Sequence, residues 1–402
     1  MPLKDLWRDS RSSILMMTIE QIAKISGDGS LKDNSSSQDE LREYLSEVST
    51  DSLEKYAKYC LEKSFPMSGE VLQDVVNELG RRLEYFVENG RYRGVKNAIG
   101  FDGIWTDDNQ RSIVVEVKTT DVYRIPLDTI AGKYKKGLVE EGRISASSSV
   151  LIVVGRTDTG ELEAQVRGSK YSSDVRIIGV ESLIQLVRIK EASDKQETIG
   201  KIRSLLMPQE YTRIDGLVDI VFIATNDVDS AQTEPDVESV SDRKNSQTKD
   251  ITPSTTIENV RNNIIAAIDN KDDVVLIKKT KAMYWSPSHD KRAACTISKR
   301  YDNQGSNKYW YAYHPSWHEF LGDGGLSYIA LGCVDLEYAF LLPLDVIRNA
   351  LPYFNKTEKK DGSMYWHLRI MEPEVGLFFL QVPSPGENIF LDEYKLQLNS
   401  KG

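Results

Sequence analysis

The sequence predicts an α/β domain with a mixed central sheet flanked by helices. A polar linker then leads to an α+β domain with a mainly antiparallel sheet. Three observations predict this. Between residues 66 and 225, amphipathic helical stretches alternate with short β-branched runs. Residues 226–254 carry almost no large apolar side chain and are dominated by Ser, Asp, Glu and Thr, which marks a flexible linker. Residues 255–402 hold several apolar or aromatic runs of strand length separated by turn-forming residues.

Residues 1–65 read as a helical region, either a small subdomain or an extension packed on the core. SILMMTIEQIAKI and DELREYLSEV have apolar residues at helical spacing, and Asp51 or Ser52 is placed to cap SLEKYAKYCLEK. GEVLQDVVNELGRRLEYFVEN reads as one long amphipathic helix stopping near Asn89-Gly90. NAIGFDGIW is an apolar strand, TDDNQ a turn and SIVVEVKTT a strand of high β-propensity. LDTIAGKYKKGLVEEG is a helix. SVLIVVG is a strand buried on both faces, ELEAQVRGSKY a helix, DVRIIGV a strand and ESLIQLVRIKE a helix. After the linker, TIENVRNNIIAAIDN is a helix. Strands follow in DDVVLIKKTKAMYW, AACTISKRY, KYWYAYH, LSYIALGCV, EYAFLLPL, YWHLRIME and GLFFLQV, with PLDVIRNAL inserted as a short helix.

Glu116 and Lys118 are two apart on SIVVEVKTT, so they share one face while Val115 and Val117 take the other. Asp102 ends the preceding strand, and an antiparallel pairing brings it beside Glu116. Gly100 and Gly103 flank it and permit a close approach of a ligand. Two carboxylates with a nearby main-chain carbonyl, that of Val117, suit a hard cation such as Mg²⁺ or Mn²⁺. Such an ion polarises a phosphodiester and acidifies a water, and Lys118 orients or deprotonates that water. Glu-x-Lys recurs at Glu358–Lys360, in a polar stretch read as a loop, and at Glu393–Lys395. Neither has an upstream strand ending in Asp-Gly, so only the 116–118 copy is a candidate.

FDGIW followed by IVVEVKTTD, in helix–strand–strand–helix–strand order over residues 70–190, resembles the PD-(D/E)XK nuclease superfamily. The resemblance implies a restriction-endonuclease-like fold, with Asp102 and Glu116 as metal ligands and Lys118 as the catalytic lysine. Phe101 stands where the family often has Pro. Many members add an acidic residue from the preceding helix; Glu78 is the preferred candidate and Glu84 the other. The resemblance further implies a metal-dependent endonuclease acting on DNA rather than RNA, in bacterial restriction or anti-phage defence, with a homodimer or a partner protein of a defence system. The alternative is a nucleic-acid or protein binding scaffold whose nuclease-like fold is latent or inactive.

Arg81, Arg82, Arg91, Arg93 and Lys96 before the site, and Lys133, Lys135 and Lys136 after it, are available to line a phosphate-binding groove, as are Arg167 and Lys170 in the later helix. The net charge of −10 excludes a generally basic, nucleic-acid-coating surface but permits a local groove. His314 and His318 in HPSWH have helical metal-ligand spacing, but Pro315 stands where zinc hydrolases place Glu, so packing roles are expected. Tyr309, Tyr311 and Tyr313 alternate with Trp310, placing most aromatics of the C-terminal domain in the sheet core and leaving one face able to bind something; with the linker before it, that domain reads as a recognition or sensing module. Cys60, Cys295 and Cys333 have no zinc-site spacing and read as buried thiols in a reducing compartment. No apolar run nears the ~20 residues that span a bilayer, and the N-terminus lacks signal-peptide features. A cytoplasmic protein with no membrane partner is expected.

Overall fold

The computed structural model describes residues 3–94, 98–119, 125–155, 160–193, 196–207, 254–301, 307–358 and 363–398. The chain divides into two compact units, Met1–Ala224 and Thr225–Gly402. The linker read at 226–254 lies outside the described residues except for Ser254, where a helix begins.

The first unit opens with helices α1 (Leu3–Asp9), α2 (Arg11–Leu15), α3 (Ile19–Ile25), α4 (Ser36–Glu47) and α5 (Thr50–Glu62). SILMMTIEQIAKI is therefore two helices. Thr18 interrupts it, because its side chain caps the Gln21 amide while the Gln21 side chain bonds back to the Thr18 amide. Ser49, not Asp51 or Ser52, caps α5. These helices extend the main core: Ile22, Leu41, Leu53 and Tyr56 share one apolar cluster with Val75, Leu79, Val115 and Val153.

The long helix expected through Asn89 ends earlier. α6 spans Ser68–Arg82, Glu84 turns the chain with a left-handed φ of 60°, and Phe86–Asn89 forms β1. Aromatic and β-branched side chains at 85–87 favour a strand once an edge is available to pair with. That edge is β2 (Gly103–Thr106), followed by β3 (Ser112–Lys118), β4 (Ser149–Val154) and β5 (Val175–Gly179). The sheet order is β1-β2-β3-β4-β5; the first three strands pair antiparallel and the last three parallel.

Val115, Leu151 and Val153 face the core shared with α6 and α9 (Val180–Ala192). Val114, Val150 and Ile152 face a second cluster with Ile130, Leu138 and Leu162. That side is covered by a π-helical stretch (Asp128–Tyr134) running into α7 (Lys135–Glu140), and by α8 (Gly160–Arg167). α8 stops at Arg167, so Lys170 lies in the following turn rather than in the helix. α10 (Gln196–Leu206) closes the described part of this unit.

Gly80 sets how closely α6 lies on the sheet. A Cβ there would sit 2.5 Å from Cε2 of the buried Trp105. Overpacking against a ring that cannot swing away costs about 1–3 kcal/mol. Gly80→Ala should lower the unfolding midpoint in denaturant accordingly, despite the better helix propensity of Ala.

The second unit begins with α11 (Ser254–Asp272), β6 (Ile277–Lys278), β7 (Met283–Trp285), β8 (Lys291–Ser298) and β9 (Asn307–Tyr313). It continues with α12 (Pro315–Gly322), β10 (Leu326–Cys333), β11 (Tyr338–Pro343), α13 (Leu344–Ala350), β12 (Lys356–Glu358), β13 (Met364–Glu374), β14 (Leu377–Leu380), β15 (Ile389–Phe390) and β16 (Lys395–Gln397). Among the described residues there are two sheets here rather than one. The first runs β16-β11-β10-β8-β7-β6, and its β8–β10 pair is parallel. The second runs β12-β13-β14-β15, with β9 also paired to β13. α11 covers one face of the first sheet through Ile264 and Ile268 on Ala293, Cys295 and Ala330. The other face meets the second sheet through Tyr309, Tyr311, Ile329, Phe340 and Leu368.

Among the described residues, no helix is long and apolar enough to cross a membrane. Cys60, Cys295 and Cys333 are free and buried, and burial pushes each thiol up to about 12.

Candidate functional site

β2 and β3 present the expected residues together. The register Gly103↔Val115, continued one step, sets Asp102 across from Glu116. The Asp102 amide donates to the Val115 carbonyl at 3.0 Å, and the Val117 amide donates to Asp102 Oδ2 at 2.6 Å. Lys118 Nζ donates to Glu116 Oε1 at 2.6 Å. Val115 faces the main core, so Glu116 and Lys118 project on the opposite face, as two-residue periodicity requires. The Lys118 carbonyl accepts from the Gly155 amide just past β4, so the backbone of Val117 points the other way, toward Asp102. Its carbonyl therefore lies on the Asp102 side of the strand.

The support behind Asp102 comes from α6. Its carbonyl accepts from the Gly90 amide at 2.9 Å, Asn77 Nδ2 at 2.9 Å and Gln73 Nε2 at 3.2 Å. Asn77 Oδ1 accepts in turn from the Trp105 indole at 3.0 Å. Gly90 and Gly103 permit this crowding: a Cβ would lie 1.8 Å from the Phe101 carbonyl oxygen at Gly90, and 2.2 Å from Asn77 Oδ1 at Gly103. Sequence reasoning passed over Gln73 and Asn77 and took Gly90 only as a helix stop. The only signal of Gln73 and Asn77 was two amides a helical turn apart on the face that also carries Gly80.

Burial raises the Asp102 carboxyl to about 7, and the neighbouring Glu116 adds to the rise; the Val117 amide and Lys118 oppose it. The carboxylate is thus held in surroundings that disfavour its charged form.

Glu78 is not directed to this group. It is buried on α6 and pairs with Arg82 at 3.2 Å and Arg81 at 3.4 Å. Arg82 goes on to bond Thr50 Oγ1 at 3.1 Å and the Val48 carbonyl. Glu78 and Arg82 therefore tie the N-terminal helices to α6, and the motif position proposed for Glu78 is a structural ion pair. Glu84 pairs with Lys190 at 3.2 Å, beside the end of α6. Arg82→Ala leaves the buried Glu78 with only the longer Arg81 contact and should cost about 3–5 kcal/mol, read as a lower melting temperature. Glu78→Gln in the same background should recover part of that loss.

The basic residues divide. Arg82 and Lys135 are buried, Lys135 against Asp174 at 2.7 Å. Arg81 bonds Asn89 at 2.8 Å, Lys136 pairs with Glu140 at 3.6 Å and Lys170 with Asp128 at 3.4 Å. Arg91, Arg93, Lys133 and Arg167 are exposed. Lys96 lies outside the described residues. A cavity of 740 Å³ lies at the ends of β4 and β5, where Val154 pairs with Lys118 in register. Lys58, Arg167 and Arg176 line it together with Glu54, Glu62, Glu163 and Glu181; Asp102, Glu116 and Lys118 do not.

In the second unit, Glu358 is on β12 rather than in a loop, and Lys360 lies outside the described residues. Glu393 sits in a 3₁₀ turn before Lys395 on β16. His314 precedes α12 and packs on Trp317, and His318 Nδ1 meets the Tyr313 hydroxyl at 3.0 Å. Among the described residues, no group of three or more His, Cys, Asp or Glu side chains is placed to hold a metal ion. The donors at 102, 116 and 117 are two carboxylates and a carbonyl, a smaller set. No known protein-family model matches the chain, and no curated protein sequence matches it.

Proposed function

We propose that the chain is a metal-dependent nuclease whose reacting centre is Asp102, Glu116 and Lys118. The observation that carries this reading is the pairing of a half-buried Asp102 with Glu116 beside Lys118 on one rigid hairpin. The donor set fits a hard divalent cation: all the donors are oxygens, and the Glu116 carboxylate adds to the burial that disfavours charge on Asp102. Asp102, Glu116 and the Val117 carbonyl would hold it. When bound, Mg²⁺ or Mn²⁺ supplies Lewis-acid polarisation of the phosphodiester and acidifies a water.

The remaining work belongs to the protein. The Val117 amide fixes one Asp102 oxygen and leaves Oδ1 to the ligand. Lys118, which in the structure donates to Glu116 Oε1, would orient the attacking water and offset charge on the phosphorane. DNA as substrate, a restriction or anti-phage setting, a homodimer and a defence partner belong to the proposal through the sequence resemblance alone.

The Lys118–Glu116 ion pair favours a second reading, a binding scaffold in which the triad is structural. Incubating plasmid, single-stranded DNA and RNA with the protein and Mg²⁺ or Mn²⁺, beside Asp102→Ala and Lys118→Ala, separates the two. Cleavage dependent on both residues supports the nuclease. Cleavage by both variants at the parental rate would sink the assignment, and no cleavage of any substrate favours the scaffold.

A further inference from the structure

The second sheet of the C-terminal unit has one face turned away from its core. Tyr309, Tyr311, Leu368 and Ile370 point inward. Their neighbours Trp310, His367 and Arg369 therefore point outward, together with Tyr365. The register extends this face sideways: Met371 pairs with Phe379, and Phe379 with Phe390. The helices of the unit pack on the other sheet, α11 and α12 on β8 and β10, and α13 on β10 and β11.

We infer that this outer face binds single-stranded nucleic acid, stacking bases on Trp310, Phe379 and Phe390 and holding a phosphate at Arg369. The inference rests on the proposed nuclease reading only for the class of polymer.

Four features support it. Phe390 is 54% exposed, and its ring lies 4.1 Å from that of Phe379 by centroids. Large aromatic surface left in water on a sheet is an interaction signal. Trp310 is held in place: its indole donates to His367 Nδ1 at 2.9 Å, and His367 Nε2 meets Thr357 Oγ1 at 2.7 Å. Nδ1 accepts, so Nε2 carries the proton and donates to Thr357. Tyr365 packs edge-on against the same indole, 6.0 Å between ring centres at 86°. A ring fixed in this way loses little entropy when a base stacks on it.

Charge selects the partner. The outward positions of β13 from 365 to 371 are Tyr, His, Arg and Met, with no carboxylate, in a chain of net charge −10. Arg369 makes no ion pair with another described residue and is the direct cross-strand partner of Trp310. Cation and π-face side by side match the alternating phosphate and base of a single strand, whereas a duplex hides its base faces. Two residues along a strand advance about 6.6–6.8 Å, which leaves room for one unstacked base per step.

The test uses the full chain in EDTA, so that binding is read without cleavage. Fluorescein-labelled 12-mers of oligo-dT and oligo-U, and a 12-base-pair duplex, are titrated by anisotropy, with tryptophan fluorescence as a second signal. Single strands should bind, quench tryptophan and outcompete the duplex. Phe390→Ala and Arg369→Gln should each weaken binding about tenfold. Arg369→Gln should also lower the slope of log K against log salt by about one contact's worth. Both variants should keep the parental melting temperature, which excludes loss by unfolding. Equal affinity of the variants and the parent, equal or tighter duplex binding, or no binding of single strands would each overturn the inference. A chain that binds through this face yet cleaves nothing with Mg²⁺ overturns the nuclease reading alone. One that cleaves while its binding ignores Phe390 and Arg369 overturns this inference alone.

Discussion

Lys118→Ala should reduce Mg²⁺-dependent cleavage about 10²–10⁴-fold while leaving the fold intact. The ammonium stands on β3 between strands β2 and β4, which pair with it on both sides. Val115, earlier on the same strand, is fully buried, which anchors the backbone when the side chain is lost. The Lys118 side chain is 29% exposed and its ion pair is with Glu116, so its removal should change stability by no more than about 1 kcal/mol. Activity and stability therefore separate. A variant with parental melting and a rate lowered a hundredfold or more supports a lysine acting on the reacting water. A variant that melts normally and cuts normally would falsify its catalytic role. Lys118→Arg is a useful companion: the longer planar cation keeps the charge but cannot deliver a proton-accepting amine, so a rate close to Ala argues for proton transfer and partial rescue argues for charge alone.

What the sequence disclosed follows from how local each signal is. β3 and β4 were legible because β-branched runs buried on both faces leave their pattern in six or seven consecutive residues. Asp102, Glu116 and Lys118 were legible together because a hairpin converts nearness in sequence into nearness across strands. α6 was overextended because residues 83–89 keep helical periodicity; the decision to leave the helix lies in the left-handed backbone at Glu84 and in the β2 edge that receives β1. The same argument explains Glu78. A glutamate on a helix reveals nothing about which neighbour it meets, and here that neighbour is Arg82 on its own helix, linked onward to Thr50. The division of the C-terminal strands between two sheets was hidden for a related reason. Alternation along β9 and β13 shows that each has an inner and an outer face, but not which strands share a sheet.

Asp102→Asn should stabilise the protein at high pH when no metal is present, and abolish any stabilisation by metal. Burial and Glu116 place the folded carboxyl near 7, whereas an unfolded aspartate titrates near 4. The folded state therefore binds the proton more tightly. That contribution to stability is complete below about pH 4 and is lost as pH rises through 7. By pH 8 the ionised, half-buried Asp102 costs the fold a few kcal/mol. Asn removes the charge and keeps the geometry, since its Oδ1 can accept from the Val117 amide and its Nδ2 faces Glu116. Melting curves in EDTA should show the Asp102→Asn variant roughly 5 °C above the parent at pH 8, with the difference shrinking toward pH 4. Added Mg²⁺ or Mn²⁺ should raise the parental melting temperature at pH 8 and progressively less below pH 7, where the proton competes for the same oxygens. The variant should not respond to metal at any pH. If the parent at pH 8 is equally indifferent to millimolar metal, the crowding of Asp102 and Glu116 belongs to the fold and not to a cation site. If the variant is no more stable than the parent at pH 8, the Val117 amide and Lys118 already offset the burial of the charge, and the excess negative charge that motivates the metal does not exist.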